Sequence, residues 1–313
     1  MSDRPPSPSS VGSVPLLSNK RYDEPSLFVP ENLLREARRQ KSLPEVRVPE
    51  VALLDPDGDI VRYLTASGTG RRHPGWACYH TDMWTTEIGA VEMGVVGTAV
   101  GAPFAVLVAE QLAASGARLV ISITSAGLLN AASEPPYFLL IEHALRDEGT
   151  SAHYLPPGTW SHLSTKLKIQ LNGAYTGLRE PVLSGSSWTT DAPYRETRSA
   201  VTAAQQAGIS CVEMEAAALY SYATARDRDV VCLAHLTNTM ATLGDDFEKG
   251  PHNGAPAALA VARATAVACL DSLRQPESAK ASDPQRTDNS TPLHAAATEL
   301  SPSPVASCGR PHS

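Results

Sequence analysis

Apolar positions along this chain switch between a helical and a strand-like spacing, and the switches set the order of its elements. Residues 31–41, Glu-Asn-Leu-Leu-Arg-Glu-Ala-Arg-Arg-Gln-Lys, form one amphipathic helix behind Pro30, a residue suited to a first helical turn. Val51–Leu54 is a short apolar run of strand length, and Asp55-Pro56-Asp57-Gly58-Asp59 after it is a turn. Val91–Thr98 predicts a strand that runs into the loop Gly97-Thr98-Ala99-Val100-Gly101-Ala102-Pro103. A helix through Ala114, a break at Gly116 and the apolar strand Arg118–Thr124 then complete a β-loop-α-β unit with short connections, which points to an α/β sheet. Further β-rich runs at Phe138–Glu142 and Val230–Leu236, and helices over 198–207 and 255–273, continue the alternation.

The ends read differently. Residues 1–21 are rich in Pro and Ser, and residues 276–313 in Pro, Ser, Ala and Thr. Neither stretch holds enough large apolar side chains to offset the entropy of ordering, so both are expected to be disordered tails around one domain over 22–275. The formal net charge is −7 and no long Lys/Arg run occurs, which argues against a nucleic-acid surface. No apolar run approaches membrane-spanning length and the start lacks a secretory layout, so a cytoplasmic protein with no membrane partner is expected. The five cysteines are scattered without a C-x-x-C pair, and the histidines show no ligand spacing, so neither a metal nor a disulfide framework is expected. The Gly97–Pro103 loop lacks the G-x-G-x-x-G spacing of a dinucleotide site.

The most informative stretch is 211–222, Cys-Val-Glu-Met-Glu-Ala-Ala-Ala-Leu-Tyr-Ser-Tyr, where Glu213 and Glu215 bracket Met214 at the mouth of an alanine-rich helix. Carboxylates are costly beside a face about to be buried. Two explanations stand side by side. Negative charge suits the free N–H groups of a helix start. Alternatively, the carboxylates hold ligand hydroxyls while the methionine packs against a carbon skeleton.

Three separated segments together resemble the nucleoside phosphorylase family, most closely its uridine phosphorylase branch. They are Val95–Pro103 with its following helix and Ile121-Ser122-Ile123-Thr124-Ser125-Ala126-Gly127, then His143–Pro156, then Val212-Glu213-Met214-Glu215-Ala216-Ala217, in order over residues 48–273. The resemblance implies a single α/β domain with a central mixed β-sheet flanked by helices, in a homo-oligomer with sites near subunit boundaries. It implies cleavage of the ribose–base bond of a small-molecule nucleoside without a prosthetic group, inorganic phosphate being the co-substrate. By the same match Glu215 binds the ribose 2′- and 3′-hydroxyls and Met214 floors the sugar, with Glu213 assisting or pairing with a cation. Thr98 joins them as a substrate-binding residue. Base recognition falls on Trp188–Arg198, with Tyr194, Arg195, Glu196 and Arg198, although a plain turn into a helix from Thr197 explains the same residues. Asn238 occupies the place of the family's base-side acid, as an amide that can donate and accept, or simply caps a strand end. Ser125, Ala126 and Gly127 form the anion turn, with His80 beside it.

The chain departs from the family at the nucleophile. Its first turn is acidic, Asp55 to Asp59, and the three phosphate-holding arginines are absent from the matched positions, one of them being Ser122. Arg71, Arg72, His80 and Arg146 are the cations that sequence offers in their stead. Three readings follow: phosphorolysis with a rearranged site; attack by water or another nucleophile, for which Asp55, Asp59 or Glu87 is the candidate base; and nucleoside binding without turnover. The acidic turn Gly244–Gly250 reads as a solvated loop rather than a cation site.

Overall fold

The computed structural model describes residues 15–237 and 249–273. Asn238, most of the Gly244–Gly250 turn and the stretches 1–14 and 274–313 lie outside the described residues. Eleven strands among the described residues form one sheet. In chain order the elements are α1 (Pro30–Lys41), β1 (Val51–Asp55), α2 (Asp59–Ala66), β2 (Arg71–Arg72), β3 (Trp84–Ile88), β4 (Val91–Gly97), α3 (Ala102–Ala114), β5 (Leu119–Ser125), β6 (Gly127–Leu128) and β7 (Tyr137–Asp147). They continue as β8 (Trp160–His162), α4 (Thr165–Gln170), β9 (Val182–Thr190), α5 (Arg198–Gln206), β10 (Cys211–Glu213), α6 (Ala216–Arg226), β11 (Asp229–Leu236) and α7 (Ala255–Leu273).

The sheet runs β2-β3-β4-β1-β5-β11-β7-β9-β10-β6, with β8 on a side branch from β7. Its centre is parallel: β4, β1, β5 and β11 all point one way. Strand β7 opposes β11 and opens a second parallel set with β9 and β10. The sheet is therefore mixed. Strand β1 is buried along its whole length, as a parallel strand covered on both faces must be, and this is why 51–54 reads as an unbroken apolar run. Helices α3 and α6 pack on each other, as do α2 and α7. The crossovers β1-α2-β4 and β4-α3-β5 run in opposite directions across the sheet, so right-handed connections place these two pairs on opposite faces.

Two expectations need correction. Helix α6 begins only at Ala216, because Cys211–Glu213 is a strand paired with Ser187–Thr189 of β9. The statement that nothing approaches membrane-spanning length also fails: residues 251–270, which include most of α7, have the length and a mean hydropathy of 1.2. Half of that window is buried within the domain, where α7 packs on β5 and α2, so its apolarity is used in the core.

Where the ladder between β7 and β11 stops at Leu140 and Leu233, β7 carries a bulge at Ile141–His143. The fully buried Tyr220 of α6 closes the gap: its hydroxyl donates to the Ile141 carbonyl and accepts from the Cys232 N–H at 3.1 Å. Replacing Tyr220 by Phe strands both groups away from water. We expect Tyr220→Phe to lower the unfolding free energy by about 1–3 kcal/mol in chemical denaturation; an unchanged midpoint would show that water reaches the bulge.

Candidate active site

The parallel strands β1, β4, β5 and β11 end at one edge of the sheet, and β10 delivers the start of α6 to the same edge. Ligand sites in open α/β sheets form outside such carboxyl ends. The sharpest local feature is the β10–α6 junction. Glu213 is buried, and its Oε1 accepts hydrogen bonds from the hydroxyls of Ser187 (2.9 Å) and Thr189. Its Oε2 accepts from the backbone N–H groups of Glu215 and Ala216, both at 2.7 Å. The Thr189 hydroxyl also accepts from the Ala217 N–H at 3.0 Å. Glu213 is thus the cap of helix α6 held from the preceding strand. Its acceptor positions are filled by protein donors, so it is not available to assist at ligand hydroxyls.

Glu215 behaves differently. It is 1% exposed, and its Oε1 accepts from the Gly101 N–H at 2.7 Å across 114 residues of sequence. Its Oε2 is buried with no hydrogen-bond partner. Gly101 has φ +86° and ψ 151°, a conformation open to glycine alone, which turns its N–H toward the carboxylate. The Met214 methyl lies 4.0 Å from where a Cβ on Gly101 would stand, so glycine, methionine and carboxylate meet at one point. Burial raises the Glu215 pKa to about 8, the Glu213 and Asp57 charges add to the rise, and the Gly101 N–H opposes it. Glu213 is also raised by burial, but Thr189, the two backbone N–H groups and Ser187 pull it back. Of this coupled pair, Glu215 is therefore the one that carries the proton near neutrality.

The acidic turn after β1 lies beside this point. Asp57 accepts from both the N–H (2.8 Å) and the hydroxyl (2.7 Å) of Ser125 through a single oxygen. Asp55 is buried and accepts from the Val61 N–H at 2.9 Å; burial raises its pKa to about 6, with Asp57 and Asp59 adding to the rise. Burial would raise Asp59 as well, but hydrogen bonds from Lys249 (2.8 Å), Asn253 (2.7 Å) and Arg62 hold it below the ordinary range. His235, at the end of β11, stacks on Phe138 with ring centres 4.4 Å apart, and burial lowers its pKa to about 4.

The structure brings Glu215, Met214, Gly101, Ser125 and Asp57 to one place, and Thr98 stands at its rim. Thr98 is exposed at φ +63°, a strained value for a β-branched residue, and its N–H donates to the Asp55 carbonyl at 2.9 Å. Ala126 donates its N–H to the His235 carbonyl at 3.4 Å, and Gly127 enters the β6 pairing. His80 is exposed with its ring 6.3 Å from that of Phe104. Residues 188–198, the expected base-recognition segment, are the end of β9 and a turn into α5, which Thr197 caps. Tyr194 is 99% exposed, Arg195 and Arg198 are exposed, and Glu196 is half-buried with its pKa raised by burial. Among the described residues no hydrogen bond joins these four to Glu215. Arg146 is committed to Ser151 and the carbonyls of Leu155 and Pro156, Arg72 to Asp82, and Glu87 lies exposed on β3. Lys249 and Arg62, which the sequence did not single out, are the cations at the acidic turn. Among the described residues no group of His, Cys, Asp or Glu could hold a metal ion.

A family model described as "Phosphorylase superfamily" matches residues 51–273. An uncharacterised protein of Acanthamoeba polyphaga mimivirus is 30% identical over 138 residues, 43% of this chain and 52% of the viral protein. A uridine phosphorylase from Thermococcus kodakarensis is 27% identical over 191 residues, 53% of this chain and 69% of that enzyme. The chain therefore spans about half the length of the first relative and roughly two thirds of the second. Among solved structures, the AMP nucleosidase of Bacteroides thetaiotaomicron superposes with a TM-score of 0.62 at 16% identity, covering 79% of this chain and 100% of that one. At that identity the likeness is one of fold.

The raised Glu215 pKa has a consequence for stability. A carboxyl whose folded pKa is raised favours the folded state below its unfolded value and loses that contribution as pH climbs through the folded value. Between pH 7.5 and 8, Asp55 is largely ionised and His235 largely neutral whether folded or not, so Glu215 stands clear of both. Unfolding free energy is expected to fall across this window by up to about 1.4 kcal/mol per pH unit. Denaturation of Glu215→Gln at the same pH values should give a flatter line; an equally steep line would assign the slope elsewhere.

Proposed function

The chain belongs to the phosphorylase superfamily, and from that premise we propose that it cleaves the N-glycosidic bond of a nucleoside with water as the nucleophile. The observation that carries the reading is Glu215: a carboxyl group buried at the carboxyl edge of the sheet, with one oxygen fixed by Gly101 and the other unpartnered. An orphaned buried carboxyl oxygen is costly unless a ligand meets it. Ribose hydroxyls are donors of the right kind, and Met214 beside them offers an adaptable apolar contact for the sugar ring.

Cleavage builds positive charge on the ribose. A nearby cation favours the ionised form of a carboxyl group, so Glu215 pulls harder on the sugar in the transition state than in the ground state. That difference is what accelerates a reaction. The water reading rests on the charges around the nucleophile position. Asp55, Asp57 and Asp59 crowd there, and a phosphate dianion would approach them against repulsion. Asp55 suits a general base, being buried and raised to about 6, near working pH. Asp59 is held ionised by three donors, and Glu87 sits on an exposed strand, so neither competes. In the step itself the water oxygen bonds to C1′, its proton passes to Asp55, and the glycosidic electron pair leaves with the base.

The test is base release from a panel of purine and pyrimidine nucleosides, with and without inorganic phosphate. We expect release at equal rates in both buffers. Glu215→Gln should lower kcat/KM about 10- to 150-fold, the loss of one charge-assisted hydrogen bond of about 1.5–3 kcal/mol. Asp55→Asn should lower kcat by about 10²–10⁴. Release that requires phosphate would overturn the choice of nucleophile. Thermal stabilisation by nucleosides with no product from any of them would favour binding without turnover.

A further inference from the structure

We infer that Asp57 is a built-in anion, occupying the oxyanion position at the end of β5 and so deciding which nucleophile the site admits. Only the second half of that statement rests on the functional reading above. The first half stands on geometry. Ser125 directs its N–H and its hydroxyl toward the same Asp57 oxygen, at 2.8 and 2.7 Å. Two donors converging on one oxygen from a strand-end turn is the arrangement by which backbone and hydroxyl groups hold an anion. The Lys249 ammonium completes it, 3.4 Å from the same oxygen and 2.8 Å from Asp59.

The tie is not a local turn contact, since Asp57 and Ser125 are 68 residues apart. Nor is the side chain needed to shape its own turn. The turn is fixed through its backbone, by the Gly58 N–H donating to the Asp55 carbonyl at 2.9 Å and Arg62 donating to the Asp57 carbonyl at 2.9 Å. Gly58, at φ +74°, lets the chain reverse there. Asp57 is also only half-buried, so a smaller residue leaves no closed cavity. Removing the carboxylate should therefore leave the fold in place, with two donors and an ammonium group facing an open position. Asp55 and Asp59 still border that position and weaken anion binding there; His235 is largely neutral at working pH and Glu215 largely protonated.

The probe is inorganic phosphate, titrated by calorimetry at fixed ionic strength into the wild type, Asp57→Ala and Asp57→Asn, with sulfate as a second oxyanion and no nucleoside present. Asp57→Ala should bind phosphate at least about tenfold more tightly than the wild type, the worth of one charge-assisted hydrogen bond. Asp57→Asn, which keeps an acceptor for Ser125 but drops the charge, should fall between them and guards against loss of fold in the alanine variant. Ser125→Ala combined with Asp57→Ala should remove the gain. A folded Asp57→Ala that binds phosphate no better than the wild type would overturn the inference, and so would tight phosphate binding by the wild type. The two readings fail separately. A gain in phosphate binding alongside a wild type that releases no base leaves the built-in anion intact and removes the proposed reaction. Phosphate-independent release without such a gain does the reverse.

Discussion

The site depends on one capped helix end. Four N–H or O–H donors converge on the Glu213 carboxylate, two from strand β9 and two from the first turn of α6. A helix start leaves its first N–H groups without partners, and a buried carboxylate is costly alone. Each problem cancels the other here, and the Thr189 hydroxyl takes a third N–H, that of Ala217. Because the donors come from two elements that are far apart in sequence, the cap also locks the axis of α6 to the end of β9. The residue held most firmly by that lock is Glu215, one step before the helix. Its orientation then needs only the Gly101 N–H from the far side of the site.

Placing two carboxyl groups this close in a dry setting forces them apart in character. Glu213 collects four donors that oppose the rise burial imposes on it; Glu215 accepts from the Gly101 N–H, keeps an orphan oxygen and is raised to about 8. The same logic repeats at the acidic turn. Asp59 holds Lys249, Asn253 and Arg62, Asp57 holds Ser125, and Asp55 is left with backbone donors and a raised pKa. Neighbouring acids of like sequence context thus divide into structural anions and groups poised to exchange a proton, which is the pattern expected where acid–base work is done.

Much of this was legible in the chain. The parallel centre of the sheet could be read because its strands are short, apolar and punctuated by Gly and Pro, and Glu215 stood out as a charge against an apolar helix. Of the two explanations offered for the Glu-Met-Glu segment, the helix start accounts for Glu213, whereas Glu215 keeps one oxygen without a protein donor. Strand β9 was harder to read, since Val-Leu-Ser-Gly-Ser-Ser-Trp-Thr-Thr carries few large apolar residues, and its small side chains are buried only by what packs around them. The partners of the acidic turn could not be read at all. Ser125 and Asp57 lie 68 residues apart, and Lys249 and Asp59 lie 190 apart. Spacing along a sequence carries no signal for such pairs; only the sheet order that brings β1 beside β5 does.

That sheet order also separates two groups of residues at the site. Glu215, Met214 and Gly101 come from β10, α6 and the loop before α3, while the acidic turn is held by the ends of β1 and β5 and by Lys249. They share an edge but few residues, so the charge of one can invert without disturbing the other. The energies make inversion decisive. Two unit charges 4 Å apart interact by about 4 kcal/mol at an effective dielectric constant near 20, enough to change occupancy roughly a thousandfold. A single carboxylate seated on Ser125 therefore opposes a free oxyanion at that position, although Lys249 on the same oxygen offsets part of the repulsion. In the proposed reaction water, which carries no charge into the site, is spared that penalty.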